Sequence, residues 1–182
     1  MAKRIEKKDE WLKAPQVEDI CSVAKCISHD FCDYIKFWKH NGWWVFDSPR
    51  IIHELTGAEG LNLEGMTLLY YEVYEKQYNE DKREWEDFTP EASFETNVEV
   101  PDEVGKRFLG YDIVTYSCQN SSECSPLSCN GMAAKIPTNK HCLLDDFNEA
   151  RRLLESGDFD IYNSEPGPFR IIAVYEVAWC LA

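Results

Sequence analysis

The sequence predicts an α+β fold, a two-layer sandwich in which a mostly antiparallel sheet of four or five strands carries helices on one face. Segments 66–74, 108–116 and 169–179 are rich in β-branched and aromatic residues and predict strands. Segment 145–154 has apolar residues at helical spacing. A faint repeat of strand, helix and strand suggests two βαβ-like units within the fold.

The chain is long enough for one domain of typical size, with 182 residues of which 44% are hydrophobic. We expect a lead-in at 1–16 and a single α+β domain at 17–182. The basic N-terminus is followed by no apolar stretch, so it does not resemble a secretory signal. No apolar run approaches the ~20 residues of a membrane helix. These observations predict a cytoplasmic protein that has no membrane partner.

The first half of the domain alternates helical and strand patterns. Apolar residues at spacings of three and four predict a helix over 17–39, which Asn41-Gly42 would end. Segment 43–46 is a short aromatic strand. Asp47-Ser48-Pro49 is typical of a helix start, and Gly57 of a helix end. Within the predicted helix 17–39, three cysteines are expected to be small buried residues, namely Cys21, Cys26 and Cys32.

The second half begins with the strand at 66–74, and an edge strand is expected around 94–100. The strand at 108–116 leads into a loop, 117–141, rich in Ser, Asn, Pro and Cys. The helix at 145–154 has acidic residues early and basic residues late, as the helix dipole prefers, and Gly157 ends it.

Negative charge is concentrated in one stretch of the chain. Of a net charge of −14, residues 72–103 carry −9, from twelve acidic and three basic residues. This charge disfavours direct binding of nucleic acid, whose phosphates need positive partners. A basic protein partner is the complementary expectation.

The leading hypothesis is therefore a non-enzymatic intracellular binding or inhibitory protein with an acidic, aromatic-dotted surface. Small proteins of the immunity-type or anti-effector class bind basic partners in this general way. The expected aromatic anchors are Trp85, Phe88 and Phe94. The carboxylates expected to steer association are Glu84, Glu86, Asp87 and Glu91.

The alternative hypothesis is a metal-binding or thiol-dependent protein centred on the Cys124–Cys142 loop. Zinc is the cofactor considered, because thiolates and imidazoles are its usual ligands. The predicted ligands are Cys124, Cys129, His141 and Cys142. The side chains of adjacent His141 and Cys142 diverge in extended backbone, which weakens the prediction that both bind one ion.

The same loop offers the parts of a thiol nucleophile. Cys124 or Cys129 would attack, His141 would act as the base, and Asp112 or Asp145 would orient the imidazole. Glycine-rich phosphate loops, dinucleotide fingerprints and nucleophile elbows are absent from the sequence. The balance of these observations favours a protein that is not an enzyme.

Overall fold

The computed structural model describes residues 2–3, 5–7, 12–24, 46, 48–59, 62–88, 100–102, 104–115, 124–159 and 166–178. Eight strands run in chain order: β1 (Ala2–Lys3), β2 (Glu6–Lys7), β3 (Asp19–Ile20), β4 (Thr67–Val73), β5 (Lys76–Asn79), β6 (Glu84–Asp87), β7 (Lys106–Thr115) and β8 (Phe169–Val177). The two α-helices are α1 (Pro49–Glu59) and α2 (Phe147–Ser156), and a 3-10 turn spans Met132–Ala134.

The predicted α+β architecture is confirmed. The main sheet is open and antiparallel, with the order β1-β4-β8-β5-β6, and β7 pairs with β8. Five of its strands have four or more residues, and β1 adds a two-residue strand to β4. β7, α2 and β8 follow one another as in the predicted second unit, but β7 and β8 are antiparallel neighbours. The opening strand of the first predicted unit, at 43–46, lies almost wholly outside the described residues.

Both helices pack on one face of the sheet, as the sequence predicts. Ala150, Leu153 and Leu154 of α2 contact the main core, which includes Ile113 and Ile171. Ile52 of α1 packs with Leu68. Because side chains alternate along a strand and β4 pairs with β8 at Leu68 and Val177, Leu68 and Ile171 share a face.

The opposite face of the sheet is covered by residues of the N-terminal region. Val23 packs on Val114 and Ile172. Cys21 packs with Leu69 and Val174. In addition Leu12 and Ala14, which fall in the predicted lead-in, are buried in the main core. Residues 12–24 therefore contribute to the folded domain.

The helix predicted at 17–39 is wrong over the residues that the structure describes there, 17–24. Asp19 and Ile20 form a strand that pairs with β2, and residues 21–24 follow it without regular secondary structure. The backbone amides of Glu18 and Asp19 donate to the carbonyl of Lys140 instead of to a helical partner. Residues 25–39 lie outside the described part of the chain, and with them Cys26 and Cys32.

Helix α2 is built as its sequence predicts. The Asp146 side chain accepts a hydrogen bond from the Glu149 amide at 3.0 Å and caps the first turn. Gly157 takes a left-handed conformation with φ of 75° and ends the helix. The α1 helix extends past Gly57, its predicted end. Among the described residues, neither helix has the length and apolar character needed to cross a lipid bilayer.

Candidate metal centre

The candidate site forms where the N-terminal segment meets the loop before α2. The amides of Glu18 and Asp19 donate to the Lys140 carbonyl at 2.8 and 3.1 Å, and the Cys21 amide donates to the His141 carbonyl at 3.1 Å. Asp19 and Cys21 are two residues apart in extended backbone, so their side chains lie on the same side of the strand. That side faces His141.

Three potential metal ligands converge at this junction. Asp19 Oδ1 lies 2.7 Å from His141 Nδ1. Cys21 Sγ lies 3.4 Å from Asp19 Oδ1 and 3.8 Å from His141 Nδ1. Within the described part of the chain this is the one cluster of three or more His, Cys, Asp or Glu side chains whose ligand atoms are close enough to share an ion.

The cluster is largely shielded from solvent. Cys21 is buried, and the side chains of His141 and Asp19 are 12% and 27% exposed. The imidazole and the carboxylate therefore interact in surroundings of lower polarity than the protein surface, where a hydrogen bond is stronger. Asp19 supplies the side of the cluster that is most open to water.

The three separations are close to those around a tetrahedral zinc ion. With bonds of ~2.0–2.3 Å, zinc holds its oxygen and nitrogen ligands ~3.3 Å apart, oxygen and sulfur ~3.5 Å apart, and nitrogen and sulfur ~3.6 Å apart. On zinc binding, the distance between Asp19 Oδ1 and His141 Nδ1 would increase from 2.7 Å by about 0.6 Å. The distances from Cys21 Sγ to these two atoms, 3.4 and 3.8 Å, would change by about 0.2 Å or less. Small side-chain rotations accommodate such changes.

The same geometry does not favour a thiol nucleophile. A base that activates Cys21 would have to accept the thiol proton, but His141 Nδ1 is already engaged at 2.7 Å by Asp19. The thiol itself donates toward the Asp19 carboxylate at 3.4 Å. Metal coordination uses all three groups together, whereas base catalysis at Cys21 would leave Asp19 competing with the thiol for one nitrogen.

His141 is held in place by Asn139. The Asn139 Oδ1 accepts hydrogen bonds from the amides of His141 at 2.9 Å and Leu143 at 3.2 Å. Its Nδ2 donates to the Leu109 carbonyl at 2.8 Å and to Asp145 Oδ1 at 2.9 Å. One amide side chain thus fixes the loop to β7 and to the start of α2 with its full hydrogen-bonding capacity.

Replacing Asn139 by alanine should lower the free energy of unfolding by about 2–3 kcal/mol, because two backbone amides lose their acceptor and the Leu109 carbonyl loses a donor. Chemical denaturation measures the loss. The matched control is Asn130→Ala, at an exposed position in the same loop. Equal losses for the two variants would show that the hydrogen bonds of Asn139 do not organise the loop.

The four ligands predicted in the Cys124–Cys142 loop do not form a cluster of their own. Cys129 is disulfide-bonded. Cys124 is a buried thiol whose Sγ donates to Asn130 Oδ1 at 3.6 Å. Of the predicted set, His141 belongs to the candidate centre, with Asp19 and Cys21 as its neighbours.

A disulfide-bonded Cys129 can serve neither as a thiolate ligand nor as a nucleophile. The other described cysteines, Cys21, Cys124 and Cys142, form no disulfide.

Cys142 points away from the candidate centre and into the core. Its φ of 60° turns the backbone between His141 and Leu143, and its side chain packs in the main core. Burial, and then the negative charges of Asp112 and Asp19, raise the pKa of this thiol to about 12. His141 therefore belongs to the three-residue cluster, whereas Cys142 does not.

The two acids predicted to orient His141 have other partners. Asp112 accepts hydrogen bonds from the Ser22 and Ser125 hydroxyls, both at 2.6 Å. Asp145 accepts one from Asn139. The carboxylate beside the imidazole is that of Asp19, which was not among the predicted site residues.

The predicted partner-binding residues lie mainly on β6, where the aromatic rings serve internal packing. Trp85 Nε1 donates to Glu155 Oε1 at 2.8 Å, and its ring contacts the rings of Tyr74 and Tyr78. The guanidinium of Arg170 lies 3.2 Å from the centre of the half-buried Phe88 ring. Phe94 and Glu91 lie outside the described residues.

Two of the three described carboxylates on β6 are paired. Glu86 accepts hydrogen bonds from Gln77, Asn79 and Lys82. Asp87 forms a salt bridge with Lys76 at 3.2 Å. Glu84 is exposed. The strand therefore presents negative charge to solvent, but its described aromatic rings are committed to intramolecular contacts.

Comparisons of the chain with protein-family models, with curated proteins and with solved structures find no match in any of the three. The residues of the cluster and their geometry are consequently the basis for a functional proposal.

Proposed function

We propose that this protein binds a divalent transition metal ion, zinc foremost, through Asp19, Cys21 and His141. The observation that carries the proposal is the convergence of a carboxylate oxygen, a thiol sulfur and an imidazole nitrogen, all within 4.8 Å of one another. These residues are supplied by two segments about 120 positions apart in the chain.

The donor set indicates the class of metal. A thiolate and an imidazole favour zinc and its neighbours among the transition metals, whereas magnesium and calcium prefer oxygen ligands throughout. Three protein ligands leave the fourth position of a tetrahedral ion to water or to a further ligand. Coordination also requires the Cys21 thiol to lose its proton, so metal affinity should increase with pH.

The structural consequence would be a metal link between the N-terminal segment and the loop before α2. These two segments are already joined by three backbone hydrogen bonds, from Glu18, Asp19 and Cys21. Because the ligands are brought together by folding, an ion that binds there stabilises the folded state by its binding free energy. The metal would thus strengthen the layer that covers the second face of the sheet.

The test is a zinc titration of the full-length chain, prepared without a polyhistidine tag and stripped with a chelator. We expect one zinc per chain and a higher melting temperature with the metal than without it. Cys21→Ser and His141→Gln should each weaken zinc binding by about a hundredfold or more, since each removes a direct ligand. Cobalt should give a thiolate-to-metal charge-transfer absorption that Cys21→Ser abolishes.

The matched control is Cys124→Ser, which alters another buried thiol that lies outside the cluster. It should retain the zinc affinity of the wild-type chain. A folded wild-type chain that takes up no stoichiometric metal would overturn the proposal, as would a Cys21→Ser variant that binds zinc as tightly as the wild type.

A further inference from the structure

The exposed large apolar residues of the described chain are concentrated in one short stretch. Val100, Val104 and Phe108 are 66%, 98% and 42% exposed, and they are the exposed large hydrophobic residues among all those that the structure describes. They fall within nine consecutive residues, at the turn before β7 and in its first half. Single exposed apolar residues are common, but a concentration of this kind is typical of an interaction site.

The turn that presents Val104 is held by defined hydrogen bonds. The Gly105 amide donates to the Asp102 side chain at 2.7 Å and lies 3.1 Å from the Asp102 carbonyl oxygen. An Asp side chain that accepts from the backbone ahead of it stabilises a turn. Val104 is therefore displayed on an ordered turn, which lowers the entropy lost when a partner contacts it.

Phe108 is supported by the rings beside it. Its ring centre lies 5.4 Å from that of Tyr175 and 5.0 Å from that of Tyr111, in tilted and edge-to-face contacts. One part of the Phe108 ring is fixed by these contacts and the remainder faces solvent. This combination resembles the aromatic anchors found at protein interfaces.

The surroundings of Phe108 favour positive charge. The Lys106 ammonium lies 4.7 Å from the Tyr175 ring centre and 2.7 Å from Glu72 Oε1. The Tyr175 hydroxyl donates to Glu72 Oε2 at 2.8 Å. Rings and carboxylates thus form an environment in which the chain's own lysine is already bound by cation–π and ionic contacts.

The basic side chains of this stretch are both occupied internally. Lys106 is almost fully buried against Glu72, and Arg107 pairs with Glu176. Asp102 is exposed. A partner that approaches Val104 and Phe108 therefore meets apolar groups bordered by two ion pairs and by the exposed Asp102.

We infer that the stretch that carries the exposed Val100, Val104 and Phe108 docks a protein segment with apolar side chains and lysine or arginine. The net charge of −14 repels a second copy of the chain, nucleic acid and anionic lipid, and it attracts a cationic segment. The partner's apolar side chains would cover the valines, and a cation would lie over the Phe108 ring. This inference is independent of the proposed metal centre.

The experiment uses a synthetic peptide that alternates arginine and leucine as its probe, with a peptide that alternates glutamate and leucine as the opposite-charge control. Binding to the full-length chain is measured by calorimetry at two salt concentrations, and the contact residues by amide chemical shifts. We expect the cationic peptide to bind, to bind more weakly at high salt, and to shift the amides of Val104 and Phe108.

Val104→Ser and Phe108→Ser should each weaken peptide binding by about tenfold, as expected for the loss of an apolar anchor. Val104 is so exposed that its substitution leaves the fold intact. The control is the double variant Glu84→Gln and Asp87→Asn on β6, which should bind within a factor of about two of the wild type if Val104 and Phe108 define the site.

Four results would overturn the inference. They are a lack of binding by the cationic peptide, equal binding by the anionic one, a greater loss in the β6 double variant than in Val104→Ser, and self-association of the chain through this surface in sedimentation experiments.

Discussion

Replacing Asp112 by alanine is expected to lower the free energy of unfolding by about 3–5 kcal/mol, the largest loss that we predict for a single substitution. The carboxylate is completely buried. Its Oδ2 accepts hydrogen bonds from the Ser22 hydroxyl at 2.6 Å and the Val23 amide at 3.0 Å, and its Oδ1 accepts one from the Ser125 hydroxyl at 2.6 Å. Alanine leaves these donors buried with their acceptor removed.

Urea unfolding measures the effect, and two further variants separate its causes. Asp145→Ala removes an exposed carboxylate three residues after Cys142 and should cost less than about 1 kcal/mol. Asp112→Asn keeps the shape but exchanges one acceptor for a donor, so its loss should be intermediate. If Asp112→Ala unfolds at the same urea concentration as Asp145→Ala, the carboxylate does not organise the core.

The position of Asp112 also connects the core to the candidate metal centre. Through Ser22 and Val23 it holds the N-terminal segment against β7, and Cys21 directly precedes those residues. We therefore expect the alanine variant to bind zinc more weakly even under conditions in which it remains folded. The metal ligands themselves are unchanged in that variant, so the weaker binding would reflect their positioning.

The parts of the fold that could be predicted from sequence are those whose signals are local. Strands β4 and β8 are nearly continuous runs of apolar and aromatic residues, and β7 contains five such residues, a composition typical of strands in contact with a core. Helix α2 has a capping aspartate, Asp146, and a terminal glycine, Gly157, which fix both of its ends.

The hairpin of β5 and β6 was not predicted, because its sequence is strongly polar. Tyr78 and Trp85 are directly paired across the hairpin and supply its contacts with the main core. A short hairpin at the edge of a sheet needs few residues that face the core. Its alternation of apolar and polar residues is therefore too short to be recognised in the sequence. In the sequence the same residues were interpreted as an acidic surface with aromatic anchors.

The candidate site could not be predicted for a related reason. Asp19 and Cys21 were assigned to a helix, in which residues two apart point about 200° from each other. In the extended conformation that the segment adopts, they share a side and meet His141. The decisive interaction joins segments about 120 residues apart, and cysteine spacing within one loop carries no information about it.

Gly110→Ala is the second substitution for which we expect a large effect, a loss of about 2–5 kcal/mol in the free energy of unfolding. Gly110 has a φ of 143°, which side-chain-bearing residues rarely adopt. It follows a register shift in the pairing of β7 with β8. An added Cβ would lie 2.6 Å from Leu143 Cβ and 2.8 Å from the Leu144 carbonyl oxygen. The loop before α2 would have to move away from β7.

Gly131→Ala separates backbone strain from crowding in this experiment. Gly131 also has a positive φ, 68°, but nothing lies within 4 Å of the position that its Cβ would take. Its loss should be about 1–2 kcal/mol, the cost of the left-handed conformation alone. Because Leu143 is two residues from His141, Gly110→Ala should also weaken zinc binding, whereas Gly131→Ala should not. Equal stability and equal zinc affinity in the two variants would show that close contact between β7 and the loop is not what positions His141.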